Sequence, residues 1–340
     1  MKKAVTFGET MMRLNPPGYL RLKQADCLEV SFAGGESNVA VSLANYGIHS
    51  QYITKVPQTD IGQCVINELR KYGVDTGKIV RGGPRLGVFF MEKGASQRPS
   101  VVIYDRAGSS IALAEPGDFD WDDILEDADW FHFTGITPAL GGKLPEICLE
   151  ACQTAKQKGV TVSCDLNYRK KLWSRSEANR VMTQLMPYVD VCISNEEDAT
   201  DVFGIRTENS DVNKGELNQE DYISVARQLM DRFPFQKVAI TLRGSISASE
   251  NTWGGMLCDR SNACFSPIYQ IRLVDRVGGG DSFGGGLIYA LMEGYTMQET
   301  VDFAAAASCL KQTMEHDLNM ATVEEVLSLA GGNGSGRVQR

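Results

Sequence analysis

The chain has 340 residues, of which 43% are hydrophobic, and this is enough for a large buried core. Its formal net charge of −9 at pH 7 argues against nucleic acids and anionic membranes as main partners. The sequence has no continuously apolar window of about 18 residues, and its first apolar run is too short for a signal peptide. We therefore expect neither a membrane span nor a nucleic-acid partner.

Strand-like and helical segments alternate along most of the chain. Short apolar runs predict strands at residues 3–7, 50–54, 130–134, 160–165, 190–193 and 237–242. Between them apolar residues recur at helical spacing, as in Leu144, Ile147, Cys148 and Ala151. This alternation predicts βαβ units in an α/β fold, with a mainly parallel sheet and helices on both of its faces.

Two segments, at about residues 10–31 and 85–108, interrupt this alternation. They lack helical periodicity but contain extended stretches, which predicts a small sheet beside the main one. Residues 331–336 are glycine, asparagine and serine only. We therefore predict a single domain from 1 to 329 and a flexible tail from 330 to 340.

The nine cysteines form no Cys-x-x-Cys motif and no Cys/His cluster that would suggest zinc. Most lie in apolar settings, such as Cys192 between Val191 and Ile193. We expect reduced thiols in the core of a cytoplasmic protein.

Residues 33–47 combine two glycines with the start of a helix. Gly34 and Gly35 precede apolar residues at helical spacing, and Gly47 is placed to end that helix. Asn38 falls in the first turn, where its amide can both donate to and accept from a polyhydroxy ligand. Taken alone, this pattern favours a tightly packed helix start without a ligand.

Residues 275–288 place three glycines before a second helix. Gly278, Gly279 and Gly280 run into Asp281, after which apolar residues recur four positions apart. Glycine amides at a helix N-terminus can bind an anion. A carboxylate there would repel the anion unless it had its own task, such as accepting a proton from a hydroxyl that attacks a bound phosphate. The alternative is a glycine-rich loop whose aspartate caps the helix.

Together the two motifs resemble the paired signatures of the ribokinase-like (PfkB) sugar kinases, from about Lys3 to Leu329. The resemblance implies a doubly wound sheet sandwiched by helices, with a small β-sheet lid over the sugar site and lids that often pair between subunits. It implies ATP and Mg²⁺ as cofactors, Asp281 as the catalytic base and Gly278–Gly280 as anion-binding amides. One departure is Pro57, where the first signature usually ends in glycine.

The resemblance also bears on metal ions. The family's magnesium-associated Asn-x-x-Glu motif is similar to Asn195 to Asp198, although this chain has aspartate in the last place. The shorter side chain keeps the charge, so we expect Asn195 and Asp198 to act on the metal through water. Asp275 and Val277 resemble positions that hold a monovalent cation in some family members, whereas Arg276 between them departs from that pattern.

Within the family, residues 5–18, 104–109, 133–136 and 164–169 resemble 2-keto-3-deoxygluconate kinases. That resemblance implies phosphorylation of the terminal hydroxyl of 2-keto-3-deoxy-D-gluconate, with two arginines on its carboxylate. The residues implied for the sugar acid are Gly34, Gly35, Glu36, Ser37, Asn38, Phe89, Tyr104, Arg106 and Arg169.

For the nucleotide, the resemblance implies a pocket with adenine near the small residues of a late helix. The residues concerned are Asn167, Asn195, Thr241, Arg243, Gly244, Ala305 and Ser308. His49, His132 and His316 form no cluster and receive no catalytic role, and His316 falls where the family more often has glycine.

Several alternatives remain open. A fructokinase, a ribokinase or a 5-keto-2-deoxygluconate kinase would keep the chemistry and change the acceptor. A regulator that binds nucleotide or sugar without catalysis is a second alternative, against which the intact Asp281 argues. Neither Gly-x-x-x-x-Gly-Lys-Ser/Thr nor, after the first strand, Gly-x-Gly-x-x-Gly occurs, which excludes P-loop and dinucleotide-binding folds.

Overall fold

The computed structural model describes residues 1–195, 197–206, 218–334 and 336. Its strands are β1 (Lys3–Phe7), β2 (Met11–Asn15), β3 (Glu29–Ala33), β4 (His49–Ile53), β5 (Lys55–Val56), β6 (Val80–Arg81), β7 (Val88–Glu92), β8 (Val101–Asp105), β9 (Trp130–Thr134), β10 (Thr161–Asp165), β11 (Val191–Ser194), β12 (Lys237–Ser245), β13 (Glu250–Cys258), β14 (Ala263–Phe265) and β15 (Tyr269–Arg272). Its α-helices are α1 (Gly35–Asn45), α2 (Asp60–Lys71), α3 (Trp121–Ile124), α4 (Ile136–Ala139), α5 (Leu144–Gln157), α6 (Arg175–Leu185), α7 (Asp198–Phe203), α8 (Gln219–Arg232), α9 (Gly279–Glu293), α10 (Met297–Lys311) and α11 (Val323–Ala330).

The main sheet of the described residues has nine strands. Their order is β14-β13-β12-β11-β10-β9-β1-β4, and β15 also pairs with β13. The pairs from β4 to β12 are parallel, whereas β13 to β15 add antiparallel pairs at one edge. Each of the six predicted strands overlaps a strand of this sheet, so the mainly parallel α/β fold is confirmed. The sequence did not predict the antiparallel edge.

Helices cover both faces of the main sheet. Phe131 and Phe133 of β9 pack into one apolar cluster with α5, α6 and α8. Trp130, on the same strand, belongs to a second cluster with α1, α9 and α10. Alternate residues of a strand point to opposite faces, so the two clusters are separate cores on the two sides of the sheet. Burial on both faces is typical of a parallel sheet.

A second sheet has the order β3-β2-β7-β8. Its strands come from the two segments that lacked helical periodicity, so the predicted small sheet is confirmed. We call this four-stranded sheet the lid sheet. Its edge strand β8 leaves apolar side chains exposed, among them Ile103, which is 49% exposed.

Close packing of α9 against two helices sets the position of the second glycine motif. A Cβ at Gly285 would lie 2.7 Å from Cβ of Ser42 on α1, and one at Gly286 would lie 3.1 Å from Cα of Ala304 on α10. Larger residues would push these helices apart. Glycine at both positions therefore holds the start of α9 beside the start of α1.

The end of the chain is described in part. Helix α11 ends at Ala330, and residues 335 and 337–340 of the predicted tail lie outside the described residues. The flexible tail and the boundary at residue 329 stay predictions. Within the described ranges, no helix combines the length and the apolar character needed to cross a membrane.

Candidate active site

A cavity of about 310 Å³ lies between the lid sheet and the two glycine motifs. It brings together residues from the lid, from the ends of the parallel strands and from both helix starts. The sequence-predicted residues that line it are Gly34, Gly35, Glu36, Asn38, Phe89, Tyr104, Arg106, Asn167, Arg169, Asn195, Asp198, Thr241, Arg243, Gly278, Gly279, Gly280 and Asp281.

The second glycine motif forms the N-terminus of α9 at the edge of this cavity. Gly278 precedes the helix with φ of +83°, and a Cβ there would lie 2.1 Å from the carbonyl oxygen of Asp317. Only glycine meets both constraints. The amides of Gly280 and Asp281 are in the first turn, where a helix offers no acceptor. Amides in this position can bind an anion, and the predicted anion-binding role of the motif stays a prediction.

Asp281 contacts the first glycine motif directly. Asn38 Nδ2 donates to Asp281 Oδ2 at 2.7 Å, although the two residues are 243 positions apart. Burial raises the pKa of Asp281 to about 6, and the hydrogen bond from Asn38 opposes that rise. Asp281 is therefore ionised at neutral pH but close to the range in which a carboxylate works as a general base.

The start of α1 is packed against the connection between β1 and β2. A Cβ at Gly34 would lie 1.9 Å from the carbonyl oxygen of Glu9, so only glycine fits. Ser37 Oγ donates to the carbonyl oxygen of Gly34 at 3.0 Å. Ser37 is not among the residues that line the cavity, and its hydroxyl is used within the helix start.

Glu36 lines the cavity, but its carboxylate is bonded to the protein. Oε1 accepts from Thr134 N, Thr134 Oγ1 and Thr137 Oγ1 at 3.1, 2.7 and 2.6 Å. Burial nevertheless raises the pKa of Glu36. A Cβ at Gly8 would lie 2.2 Å from this carboxylate. Glu36 thus joins α1 to the end of β9, and its predicted contact with a sugar stays a prediction.

Arg106 is paired with a carboxylate that the sequence did not identify. Its Nε donates to Glu9 Oε2 at 2.7 Å, and Nη2 contacts the same oxygen. Ser109 Oγ donates to Glu9 Oε1 at 2.6 Å. Glu9 follows β1 at the carboxyl edge of the sheet. This position was the sequence signal that could have identified it as a site residue. Much of the hydrogen-bonding capacity of Arg106 is therefore already used.

The lid contributes an aromatic wall. The rings of Phe89 and Tyr104 are 5.9 Å apart on neighbouring strands β7 and β8. The guanidinium of Arg106 lies 5.4 Å from the centre of the Tyr104 ring. Arg169 reaches the cavity from the opposite side, where it is exposed and donates to the carbonyl of Tyr168 at 3.1 Å.

Acidic side chains line the cavity near the ends of β10 and β11. Asn167 has φ of +41° and donates both N (3.2 Å) and Nδ2 (3.4 Å) to the carboxylate of Asp165. Burial raises the pKa of Asp165 well above its usual value, and the charges of Asp198 and Asp281 raise it further. Asp165 was not predicted, although it ends a predicted strand. An unfavourable backbone at such a place is typical of functional sites.

These carboxylates suit a hard metal ion that arrives with phosphate. Mg²⁺ usually takes one or two carboxylates and completes its shell with phosphate oxygens and water, and Asp165 with Asp198 is such a pair. In the described part of the chain, no cluster of three or more His, Cys, Asp or Glu could hold a metal ion by itself. Asn195 Oδ1 accepts from the amides of Glu197 and Asp198, so it caps the start of α7.

The β12–β13 hairpin carries polar groups into the cavity that the sequence did not predict. Arg243 pairs with Trp253 and Ser245 with Asn251, so alternate residues share one face. Asn251 is 1% exposed, and neither atom of its amide has a partner among the described residues. Trp253 Nε1 is also without one there. Buried polar groups are normally satisfied, so these groups fit a bound ligand.

Arg276 is a second cation beside Arg243, and the sequence analysis did not assign it to this site. Burial lowers its pKa, and the charge of Arg243 lowers it further. Neither guanidinium is paired with a carboxylate within the described ranges. Two neighbouring guanidinium groups without a counter-ion suit a phosphate ligand. Gln312 and Asp317 also line this end of the cavity.

Three residues predicted to bind the nucleotide are not among those that line the cavity. Ala305 and Ser308 are fully buried, and Ser308 Oγ donates to the carbonyl of Gly279 at 2.6 Å. Gly244 lies further along β12, next to Thr252. The role that Ser308 has in the structure is to hold the glycine motif. The placement of adenine beside Ala305 and Ser308 stays a prediction.

His316, for which the family resemblance implied glycine as the more frequent residue, has an unusual backbone conformation. Its φ is +63°, in the left-handed region that glycine adopts most readily. The three histidines are not among the residues that line the cavity. The expectation that no histidine is catalytic stays a prediction.

Comparison with known proteins places this architecture in a family. The sequence matches the pfkB family of carbohydrate kinases over residues 1–319. It is 36% identical to the 2-dehydro-3-deoxygalactonokinase of Haloferax volcanii, over 98% of each chain. It is 27% identical to the 2-dehydro-3-deoxygluconokinase of Bacillus subtilis, over 96% of this chain and 94% of that protein.

A solved structure agrees with the sequence relatives. The crystal structure of 2-dehydro-3-deoxygluconokinase from Thermotoga maritima matches with a TM-score of 0.94 and 49% identity, over 97% of this chain and 98% of that chain. The family match and these relatives extend over nearly the whole fold, so they include both glycine motifs and the lid. We conclude that this chain belongs to the pfkB family of carbohydrate kinases.

Proposed function

We propose that this chain uses ATP to phosphorylate the terminal hydroxyl of 2-keto-3-deoxy-D-gluconate (2-dehydro-3-deoxygluconate), giving the 6-phosphate. The observation that carries the proposal is the likeness to the Thermotoga maritima 2-dehydro-3-deoxygluconokinase, at 49% identity and a TM-score of 0.94. Arg106 and Arg169, two of the four arginines that line the cavity, support an acidic acceptor, because guanidinium groups bind carboxylates through charge-assisted hydrogen bonds. A neutral ketose would leave them without that partner.

The cavity supports a division of work between the arginines. Arg106 already donates to the buried Glu9, whereas Arg169 is exposed and donates to a main-chain carbonyl. Arg169 is therefore the cation better placed to receive the carboxylate of the acceptor. Arg106 would orient Tyr104 and the lid side of the cavity.

In the proposed reaction, Asp281 accepts the proton of the terminal hydroxyl as the hydroxyl oxygen attacks the γ-phosphorus in line, and the bond from that phosphorus to the β–γ bridging oxygen breaks to release ADP. The amides of Gly280 and Asp281 donate to phosphate oxygens, where charge develops. Asp165 and Asp198 would hold Mg²⁺, which when bound neutralises part of the phosphate charge. Arg243 and Arg276 would bind the phosphates from the opposite side.

A second acceptor is 2-keto-3-deoxygalactonate. The Haloferax volcanii relative named for this acid is 36% identical over 98% of the chain. The two acids differ in the configuration of one carbon and share the carboxylate and the terminal hydroxyl. The arginines and Asp281 suit both acids equally, so discrimination would depend on contacts to the hydroxyl group on the carbon at which the two acids differ.

The test is a coupled ADP-release assay with both keto acids, fructose and ribose. Losing one charge-assisted hydrogen bond costs about 1.5–3 kcal/mol, or about one to two decades in kcat/KM. We expect kcat/KM for the gluconate acid to exceed that for fructose and ribose by at least about 10²-fold if both arginines contribute. Arg169→Ala should remove most of this preference, whereas Lys170→Ala, at the neighbouring exposed cation, should not.

Two results would contradict the proposal. Equal kcat/KM for fructose and the keto acid in the unmodified enzyme would contradict the proposed acceptor. The assignment to the family would still hold. Higher kcat/KM for the galactonate acid would move the assignment to the second candidate.

We also propose a homo-oligomer that pairs through the lid sheet. Strand β8 is an edge strand with exposed apolar residues, including Val101 and Ile103, and such edges are usually covered.

A cytoplasmic location is proposed as well, because all nine cysteines are free thiols.

A further inference from the structure

Lys311, the last residue of α10, has its ammonium group buried beneath the second glycine motif. The side chain is fully buried. Nζ donates to the carbonyl oxygen of Asp275 at 3.0 Å and to that of Val277. These carbonyls belong to the turn that leads directly into Gly278. Main-chain carbonyl oxygens are also the groups with which proteins coordinate potassium.

Two carboxylates and two cations are buried together at this place. Arg13 of the lid strand β2 donates to Asp275 Oδ2 at 2.6 Å and to Asp317 Oδ2 at 2.7 Å. With Lys311 the four formal charges cancel. Burial lowers the pKa of Lys311, and both carboxylates oppose that change. Removing the ammonium would leave one buried negative charge without compensation, which is costly.

The same group of residues determines where the glycine motif lies. Asp275 Oδ1 accepts from the amide of Val277 at 3.1 Å. The carbonyl of Asp317 occupies the space that a side chain at Gly278 would need. Lys311 binds the other side of this turn. Displacing the ammonium would therefore change the position of the amides at Gly280 and Asp281.

We propose that the Lys311 ammonium acts as a built-in monovalent cation that positions the glycine motif, so that this kinase needs no added potassium. Asp275 and Val277 resemble positions that hold such an ion in other members of the family. Here an added ion would overlap Nζ, because both need the same two carbonyl oxygens. The residues present do not fit a bound monovalent cation. Lys311 is a positioning residue, since it acts through the backbone of the turn.

The first experiment measures turnover in potassium chloride and in choline chloride at equal ionic strength. Wild type should be equally active in both salts. Lys311→Ala should lose about 10²-fold in kcat in choline, as expected when reacting groups are misplaced. Potassium or ammonium should restore most of that loss, because each can occupy the vacated site. Lys143→Ala, at an exposed lysine that pairs with Glu146, should behave like wild type.

The second experiment measures thermal melting without substrates. The turnover experiment depends on the proposed acceptor, whereas the melting experiment does not. A failure of the proposed function can therefore be distinguished from a failure of the proposal for Lys311. The Tm of Lys311→Ala should rise with potassium in a saturable way relative to choline, because an ion that binds only the folded state stabilises it. The Tm of wild type should not differ between the salts.

Three outcomes would overturn the proposal. Wild type could lose turnover when potassium is removed. Folded Lys311→Ala could keep full turnover in choline. The variant could be impaired while neither its kcat nor its Tm responds to any monovalent ion, which would leave Lys311 a purely structural role. If Lys311→Ala does not fold, Lys311→Ser provides the same comparison with a polar group left in the site.

Discussion

At the scale of single residues, the protonation of Asp281 decides whether it can act as a base. Its pKa is raised to about 6 by burial, against the effect of the Asn38 hydrogen bond. A base must be deprotonated, so kcat/KM should fall as the pH drops through about 6. In Asn38→Ala the charged form loses a hydrogen bond, and this acidic limb should move to higher pH.

The measurement is kcat/KM against pH for wild type and the variant. Ser37→Ala is the matched control, because Ser37 is the neighbouring residue on α1 and its hydroxyl bonds Gly34. Its acidic limb should coincide with that of wild type. An unchanged limb in Asn38→Ala would show that Asn38 does not set the pKa of the base.

Asp281→Asn should affect turnover and stability in opposite directions. Turnover should fall by about 10²–10⁴-fold, because an amide cannot accept the proton. The folded pKa of about 6 is above the unperturbed value of 3.8, so the stability that Asp281 contributes declines between these values as the pH rises. At pH 8 the ionised carboxylate is unfavourable in the folded state, and the variant should have the higher Tm.

Melting curves at pH 8 and single-turnover assays measure the two effects. Asp231→Asn provides an exposed control, since this aspartate is largely accessible and should change neither quantity. Near-normal turnover in Asp281→Asn would remove Asp281 as the base.

At the scale of elements, two glycines at the start of α9 look alike in sequence but differ in their surroundings. Gly278 has a left-handed backbone and no room for a Cβ, whereas a Cβ at Gly280 would meet no described atom within 4 Å. Gly278→Ala should be destabilised by at least about 1–2 kcal/mol from the backbone alone. Gly280→Ala should be as stable as wild type or slightly more stable, but its methyl group would project into the cavity and raise the KM for ATP.

Urea unfolding and ATP kinetics of the two variants measure this contrast. If Gly280→Ala has an unchanged KM for ATP, the phosphates do not lie against this turn. If Gly278→Ala is as stable as wild type, the close contact with Asp317 is not present in solution.

The β12–β13 hairpin offers a second prediction at this scale. Asn251→Leu should raise the Tm of the unliganded protein, because a buried amide without partners is replaced by an apolar group. It should raise the KM of the ligand that the amide binds by about tenfold. Measuring KM for ATP and for the keto acid identifies that ligand. Thr252→Val, on the opposite face of β13, should leave both KM values unchanged, and no change in Asn251→Leu would exclude Asn251 from ligand binding.

At the scale of the whole molecule, the lid sheet connects the acceptor site with the rest of the protein. Arg13 joins strand β2 to the turn before α9, and β8 is left as an apolar edge. Ile103→Asp should place a charge in the proposed subunit contact and reduce the oligomer to monomers. Sedimentation velocity measures this, with Leu327→Asp on α11 as a control at another exposed apolar residue. An unchanged mass for Ile103→Asp, or a monomeric wild type, would contradict pairing through the lid.

The sequence by itself determined the mainly parallel α/β architecture and the positions of the two glycine-rich helix starts. The six parallel strands were predictable because each is a short apolar run, and helices because their apolar residues recur at a local period. Gly34, Gly278 and Asp281 were predictable as well, since a glycine pair or triplet before a helical pattern is a local signal of a helix start. Such signals depend on only a few neighbouring residues, so they can be recognised without knowledge of the fold.

Only the tertiary structure decided how the charges of the site are partnered. Glu9 with Arg106, Asn38 with Asp281, and Lys311 with the carbonyls of Asp275 and Val277 join positions far apart in the chain. Which of these groups meet depends on strand order, hairpin register and helix packing, and a shift of one residue in a strand would exchange its faces. The local sequence around each residue does not indicate which distant residue it contacts. The identity of charged residues could therefore be read from the chain, but their partners could not.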